Sequence, residues 1–172
     1  AKELIKRGID VYTSHGTIEA CNLKGHRVHT VVDRTPIKAG TFTVIPFDVQ
    51  HDAPEPLGFL LASEITQEKV LYFTDTYYLK YCFKGITHIL GECNYDRVSL
   101  NNAVKEGRVS PELAARIIKS HMSLENFIEF LKANDLSKVL QVHLIHLSAS
   151  NSNAERMKMA VQALTGAEVY TY

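Results

Sequence analysis

The sequence predicts an α/β (α+β) sandwich folded as one domain over residues 1–172, and three observations carry that prediction. Three apolar runs of strand length, Val44–Val49, Leu57–Ala62 and Val70–Phe73, are joined by short polar connections, so they form antiparallel neighbours. From Ile86 onward the pattern changes to alternating strand and helix. No internal repeat, low-complexity tract or interdomain linker divides the 172 residues, a length suited to one packed domain.

Taken in order, Ala1 to Arg7 reads as helix, stopped by Gly8. Ile9–Thr13 reads as a short strand, Ser14–Thr17 as a turn, and Thr17 as the cap of a helix reaching Leu23. His26–Val32 alternates polar and apolar residues, as a half-buried strand does. Arg34-Thr35-Pro36 and Lys38-Ala39-Gly40 are turn material leading into a strand over Thr41–Val49. Ile86–Leu90 is a further buried strand, followed by a helix from Arg97 to Lys105. Ser110 caps the next helix with Pro111 at its first position, and that helix runs to Lys119. Ser123 starts another, in which Leu124, Phe127, Ile128 and Leu131 fall on one face. Val139–Ile145 is a strand, Asn153 caps a last helix over Ala154–Leu164, and Ala167–Tyr172 closes the chain as a strand.

Composition narrows the function classes. Lys plus Arg balances Asp plus Glu, 19 against 19, so no net field draws the molecule to nucleic acid or an anionic membrane. The apolar stretches fall short of the ~20 residues of a membrane span. Three cysteines, Cys21, Cys82 and Cys93, lack CxxC spacing and suit reduced thiols in a cytoplasm. Cys93 reads as a small buried residue rather than a nucleophile. There is no glycine-rich phosphate loop, GxSxG elbow or cysteine metal cluster.

The chemistry-bearing residues stand where strands give way to loops. His51 ends the first apolar run before Asp52-Ala53-Pro54-Glu55-Pro56, Asp75 follows the third, and His146 follows Val139–Ile145. Each also has a plain reading: an exposed turn histidine for His51, a turn cap for Asp75. His143, among apolar neighbours, reads as a hydrogen-bonded core histidine. Glu92 and His121 each sit at a strand end or helix start. A carboxylate beside an imidazole would hold its tautomer and raise its pKa, making it a proton donor, whereas a separated surface pair would do nothing. Imidazole and carboxylate donors without thiolate suit zinc, manganese or iron in a hydrolytic site. Two such ions about 3.5–4 Å apart could share an aspartate such as Asp75 and activate water between them.

In this order the residues resemble the metallo-β-lactamase-fold hydrolases, and within them the small bacterial and phage branch of WalJ-type proteins related to ribonuclease Z. The resemblance rests on His51 before a hairpin ending in Gly58-Phe59, and on Thr74-Asp75-Thr76 after a strand. It continues through Glu92-x-Asn94-x-Asp96, His121-Met122-Ser123 opening a helix, and His146-Leu147-Ser148 followed by Asn151 and Asn153. It implies a four-layer αββα sandwich and two divalent metals, zinc foremost, with manganese or iron as alternatives. His51 and His146 would each bind one metal, Asp75 would bridge both, and Glu92 with His121 would deliver a proton to the leaving group. The implied activity is that of a phosphodiesterase or nuclease, on a small phosphodiester or nucleic-acid substrate. The family's His-x-His-x-Asp-His segment is absent, so the chain resembles the C-terminal portion of such a protein. As such it is expected to be inactive or nearly so alone. A non-catalytic module, associating with itself through an exposed sheet, is the other expectation.

Overall fold

In the computed structural model, which describes residues 1–172, the chain forms one seven-stranded mixed sheet covered by helices on one face, with a two-stranded ribbon apart from it. The elements are α1 (Lys2–Lys6), β1 (Val11–Thr13), α2 (His15–Cys21), β2 (Val28–Thr30), β3 (Ile37–Ala39), β4 (Phe42–Asp48), β5 (Leu57–Ser63) and β6 (Lys69–Phe73). They continue with β7 (His88–Glu92), α3 (Arg97–Lys105), α4 (Pro111–Ser120), α5 (Leu124–Lys132), β8 (Gln141–Ile145), α6 (Ala154–Thr165) and β9 (Glu168–Thr171). No helix is long and apolar enough to cross a membrane.

The large sheet has the order β3-β4-β5-β6-β7-β8-β9, antiparallel from β3 to β6 and parallel from β6 to β9. Short connections produce the antiparallel half, and a long loop from β6 to β7 followed by helical crossovers between β7, β8 and β9 produces the parallel half. The core lies on the helix side, where Leu71, Phe73, Ile89, Val142, Leu144 and Val169 meet Phe127, Leu131, Met157 and Val161. On α5, Leu124, Phe127 and Leu131 repeat at helical spacing and are buried together. Two glycines make room for aromatic rings in the sheet. Gly91 stands opposite Phe73, and a Cβ there would come within 2.4 Å of the Phe73 ring and 2.6 Å of the Phe127 ring. Gly58 stands opposite Phe47 in the same way, at 2.4 Å.

The other face carries an apolar groove of about 350 Å³ lined by Tyr12 of β1 together with Ile37, Val44, Phe59, Leu61, Val70, Tyr72 and Leu90. Of the second sheet expected in a four-layer αββα sandwich, this chain supplies only the parallel pair β1–β2 on that side. His143 lies on the same open face rather than in the helix-packed core. Its ring stacks on Tyr170 at 5.0 Å, and its partial burial pulls its pKa below the ordinary histidine value.

Three local expectations are corrected. Ser14, not Thr17, caps α2: its Oγ accepts the Thr17 N–H at 3.3 Å, because its extended backbone turns the hydroxyl toward the helix start. Ile37–Ala39 is an edge strand rather than a turn, paired with β4 across the Gly40-Thr41 reversal, where Gly40 has φ of 60°. The strand expected at Ile86–Leu90 is displaced to His88–Glu92, so Glu92 is the last residue of β7.

Candidate metal centre

Three neighbouring parallel strands deliver donors to one edge of the sheet. β6 ends two residues before Asp75, β7 ends with Glu92, and β8 ends one residue before His146. The register pairs Phe73 with Gly91 and Glu92 with Ile145, so the three ends are level. Carboxyl ends of adjacent parallel strands are where an open α/β sheet leaves room for a ligand. β4 is antiparallel to β5, which is antiparallel to β6, so β4 points the same way and brings His51 to the same edge. His121 arrives from the helical layer as the C-cap of α4.

The backbone is unusual at two of these positions. Asp75 has φ of 51° and His146 φ of 59°, both left-handed in residues that carry a side chain. Such conformations are uncommon outside glycine, and they turn a side chain sharply at the end of a strand. Both side chains point into one cluster. His146 Nδ1 lies 3.1 Å from Glu92 Oε1, 3.5 Å from Asp75 Oδ1 and 3.3 Å from the Thr74 hydroxyl. His121 Nδ1 lies 2.6 Å from Glu92 Oε1 and 3.9 Å from Asp75 Oδ1.

Glu92 is wholly buried, and its two oxygens have separate partners. Oε1 faces the two imidazoles, while Oε2 accepts the Thr76 N–H at 2.9 Å. A buried carboxylate is tolerable only when paired and hydrogen-bonded. Its bond holds the His121 imidazolium above the ordinary histidine range, while burial pulls in the opposite direction and Asp75 adds to the rise. Thr76 is itself fully buried: it accepts the Gln50 N–H at 2.9 Å and donates to the Tyr78 carbonyl at 2.8 Å. The sequence marks Thr76 only as part of Thr74-Asp75-Thr76 and gives it no role of its own, because its partners Gln50 and Glu92 are distant in the chain.

Five residues singled out by their positions thus reach the same edge, and four of them converge. One donor atom each from Asp75, Glu92, His121 and His146 lies within 4.8 Å of the others. Glu92 and His121 do meet in space. His51 stands apart at the rim, its ring 6.1 Å from that of His121. Its Nδ1 is 3.1 Å from the Ala53 N–H and 3.2 Å from Asp52 Oδ1, contacts that demand opposite tautomers. With the proton on Nδ1 and donated to Asp52, His51 would present Nε2 as a ligand. Cys93, next to Glu92, is fully buried, and burial pushes its thiol pKa up, so it is inert packing.

The donor set fits a divalent ion. Ligands about 2.0–2.1 Å from a tetrahedral zinc are spaced roughly 3.3 Å from one another, and Asp75 Oδ1 and His146 Nδ1 are 3.5 Å apart, while the 2.6 Å contact of His121 with Glu92 is a hydrogen bond. Imidazole and carboxylate donors suit zinc, manganese or iron.

No protein-family model matches this chain, and no curated protein matches it in sequence. Solved structures do match. The metallo-β-lactamase-fold protein YhfI of Bacillus subtilis superposes with a TM-score of 0.68 at 15% identity, over 95% of this chain and 61% of its own length. Igni18, a metallo hydrolase of the archaeon Ignicoccus hospitalis, gives 0.68 at 13% identity, over 99% of this chain and 68% of its own. A diphosphatase of the PhnP family gives 0.55 at 14%, over 94% of this chain and 54% of its own. This chain therefore spans about three fifths of the length of these three proteins. Identities this low establish architecture alone, and the architecture is the metallo-β-lactamase fold, in which the helix-covered mixed sheet presents Asp75, Glu92 and His146 at one edge.

Proposed function

We propose that this chain carries the metal-binding and proton-transfer residues of a metal-dependent hydrolase acting on a phosphodiester, small or nucleic acid. The observation that carries this reading is the convergence of Asp75, Glu92, His121 and His146 at the strand ends. Asp75 and His146 would hold metal, and Asp75 would be shared with a second ion served by His51 from the rim. A bound ion would supply Lewis acidity to water and to the scissile group. Zinc is the first choice by donor type, with manganese or iron as alternatives.

The remaining steps belong to side chains. Glu92, fixed by the Thr76 N–H, holds His121 in its protonated form. The protonated His121 would donate to the leaving oxygen, a role suited to an imidazole whose pKa the Glu92 carboxylate raises. Proximity of His121 to His146, ring centroids 5.2 Å apart, keeps the proton donor beside the metal ligand. Its three free cysteines suit a reducing compartment such as the cytoplasm.

The test is metal content and hydrolysis together. Chain equilibrated with zinc and freed of excess should retain metal by mass spectrometry. A version extended upstream to include a His-x-His-x-Asp-His segment should retain two ions and hydrolyse bis(p-nitrophenyl) phosphate, with activity lost to EDTA. Absence of bound metal in both would sink the hydrolase reading.

A second reading, self-association of two copies through the open sheet face, is favoured by the apolar groove under Tyr12 and by exposed Phe42 and Tyr170. A monomer in sedimentation equilibrium at high micromolar concentration would rule it out.

A further inference from the structure

Asn94 touches three of the loops that build the centre, two residues beyond Glu92. Its backbone N–H donates to the Met122 carbonyl at 2.8 Å, adjoining His121. Its side-chain amide donates to the His146 carbonyl at 2.8 Å. Its own carbonyl accepts the Ser148 N–H at 2.8 Å, two residues past His146. The residue is 8% exposed, so water competes little for these bonds.

Of the three, only the amide bond depends on the identity of the side chain. It holds the carbonyl of the one residue in this loop forced into left-handed backbone, His146 at φ 59°. A left-handed histidine persists only where its surroundings over-determine it. The bonds to Met122 and Ser148 fix where Asn94 stands, and the amide then fixes where the His146 backbone turns. The direction of the His146 imidazole toward Asp75 and Glu92 follows from that turn.

We propose that Asn94 is a positioning residue for the metal centre: its side-chain amide sets the left-handed turn of His146 and so aims the imidazole at the donors of Asp75 and Glu92. This inference rests on the metal-site reading above. Asn94 bonds the His146 backbone and not its imidazole. It acts through His146.

The experiment compares the wild-type chain with Asn94→Asp and Asn94→Ser, neither of which disturbs the two backbone bonds. Asn94→Asp keeps the shape but removes the donor, and Asn94→Ser removes the amide without adding charge, which guards against misfolding of the first. Val161→Ala, in the core on α6, serves as the control for simple destabilisation. Cobalt(II) is titrated into each and read by its visible d–d absorption. Both Asn94 variants should bind about 10- to 100-fold more weakly, with altered band intensities, while Val161→Ala keeps the wild-type spectrum. Wild-type affinity and spectrum in both Asn94 variants would overturn the proposal. Should the wild-type chain itself bind no cobalt, the metal-site reading fails, and crystal structures of the metal-free chains decide this one separately. His146 remaining left-handed in Asn94→Ser overturns it, and His146 leaving that region supports it.

Discussion

His121 Nδ1 and Glu92 Oε1 lie 2.6 Å apart, with the carboxylate wholly buried and the imidazole partly open to solvent. The pair joins the last residue of a central strand to the cap of a helix, so sheet and helical layer meet at a charged contact. Its strength is that of a charge-assisted bond in a poorly solvated place. Replacing Glu92 by Gln keeps an acceptor for His121 but removes the charge. The His121 titration in Glu92→Gln, followed by NMR, should move down from its raised position toward the ordinary histidine value. No movement would show that the charge of Glu92 does not hold the proton.

The same shift makes stability depend on pH. The folded-state pKa of His121 is raised above its reference of 6.5, so its stabilising contribution is full below about 6.5 and fades as pH rises through the folded value. Metal-free chain should accordingly be more stable to urea at pH 6 than at pH 8.5. In His121→Gln that part of the difference should disappear.

Asp75 lies between His121 and His146 in the donor cluster. Zinc in hundredfold excess over its dissociation constant should stabilise the wild-type chain by about 2.7 kcal/mol, visible as a rise in melting temperature. Asp75→Asn should lose most of that rise while keeping a wild-type melting temperature without metal. A full zinc-dependent rise in Asp75→Asn would exclude Asp75 as a ligand.

Gly91 tests how tightly the sheet and α5 are packed beneath the centre. A methyl there meets the Phe73 and Phe127 rings well inside contact distance, and both rings are fully buried. Gly91→Ala should cost about 1–3 kcal/mol in urea denaturation through overpacking. Because Glu92 is the next residue, zinc stabilisation should also fall.

Asp96 is buried at the start of α3, where it accepts the Ser99 and Asn153 N–H groups and pairs with Arg156. Asp96→Ala removes a helix cap and strands a backbone donor, for a loss of about 2–4 kcal/mol in denaturant. Thermal melting that differs by less than a degree would show that Arg156 and water replace it.

Much of the architecture is legible in local patterns, and the exceptions are instructive. The α5 stripe and the caps Ser110, Ser123 and Asn153 lie where periodicity and capping chemistry put them, since both are properties of a few consecutive residues. β3 is hidden because Lys38-Ala39-Gly40 has turn composition, and it becomes a strand only by pairing with β4. β7 extends past its apolar run because Gly91 and Glu92 pair with Leu144 and Ile145 of β8, and the glycine is needed there for the Phe73 ring, requirements with no local trace. His143 looked like a core residue among apolar neighbours, but alternation along β8 turns it to the open face beside Tyr170.

The sequence by itself determined which residues stand at strand and helix ends, because hydrophobic periodicity stops there and polar side chains begin. It therefore marked His51, Asp75, Glu92, His121 and His146 as candidates. Only the tertiary structure decided that four of them share one small volume while His51 stands at the rim. The reason is geometric: the distance between residues far apart in the chain depends on the strand order β6-β7-β8, their level register and the placement of α4. Those are set by packing of whole faces against one another, and no short stretch of sequence contains them.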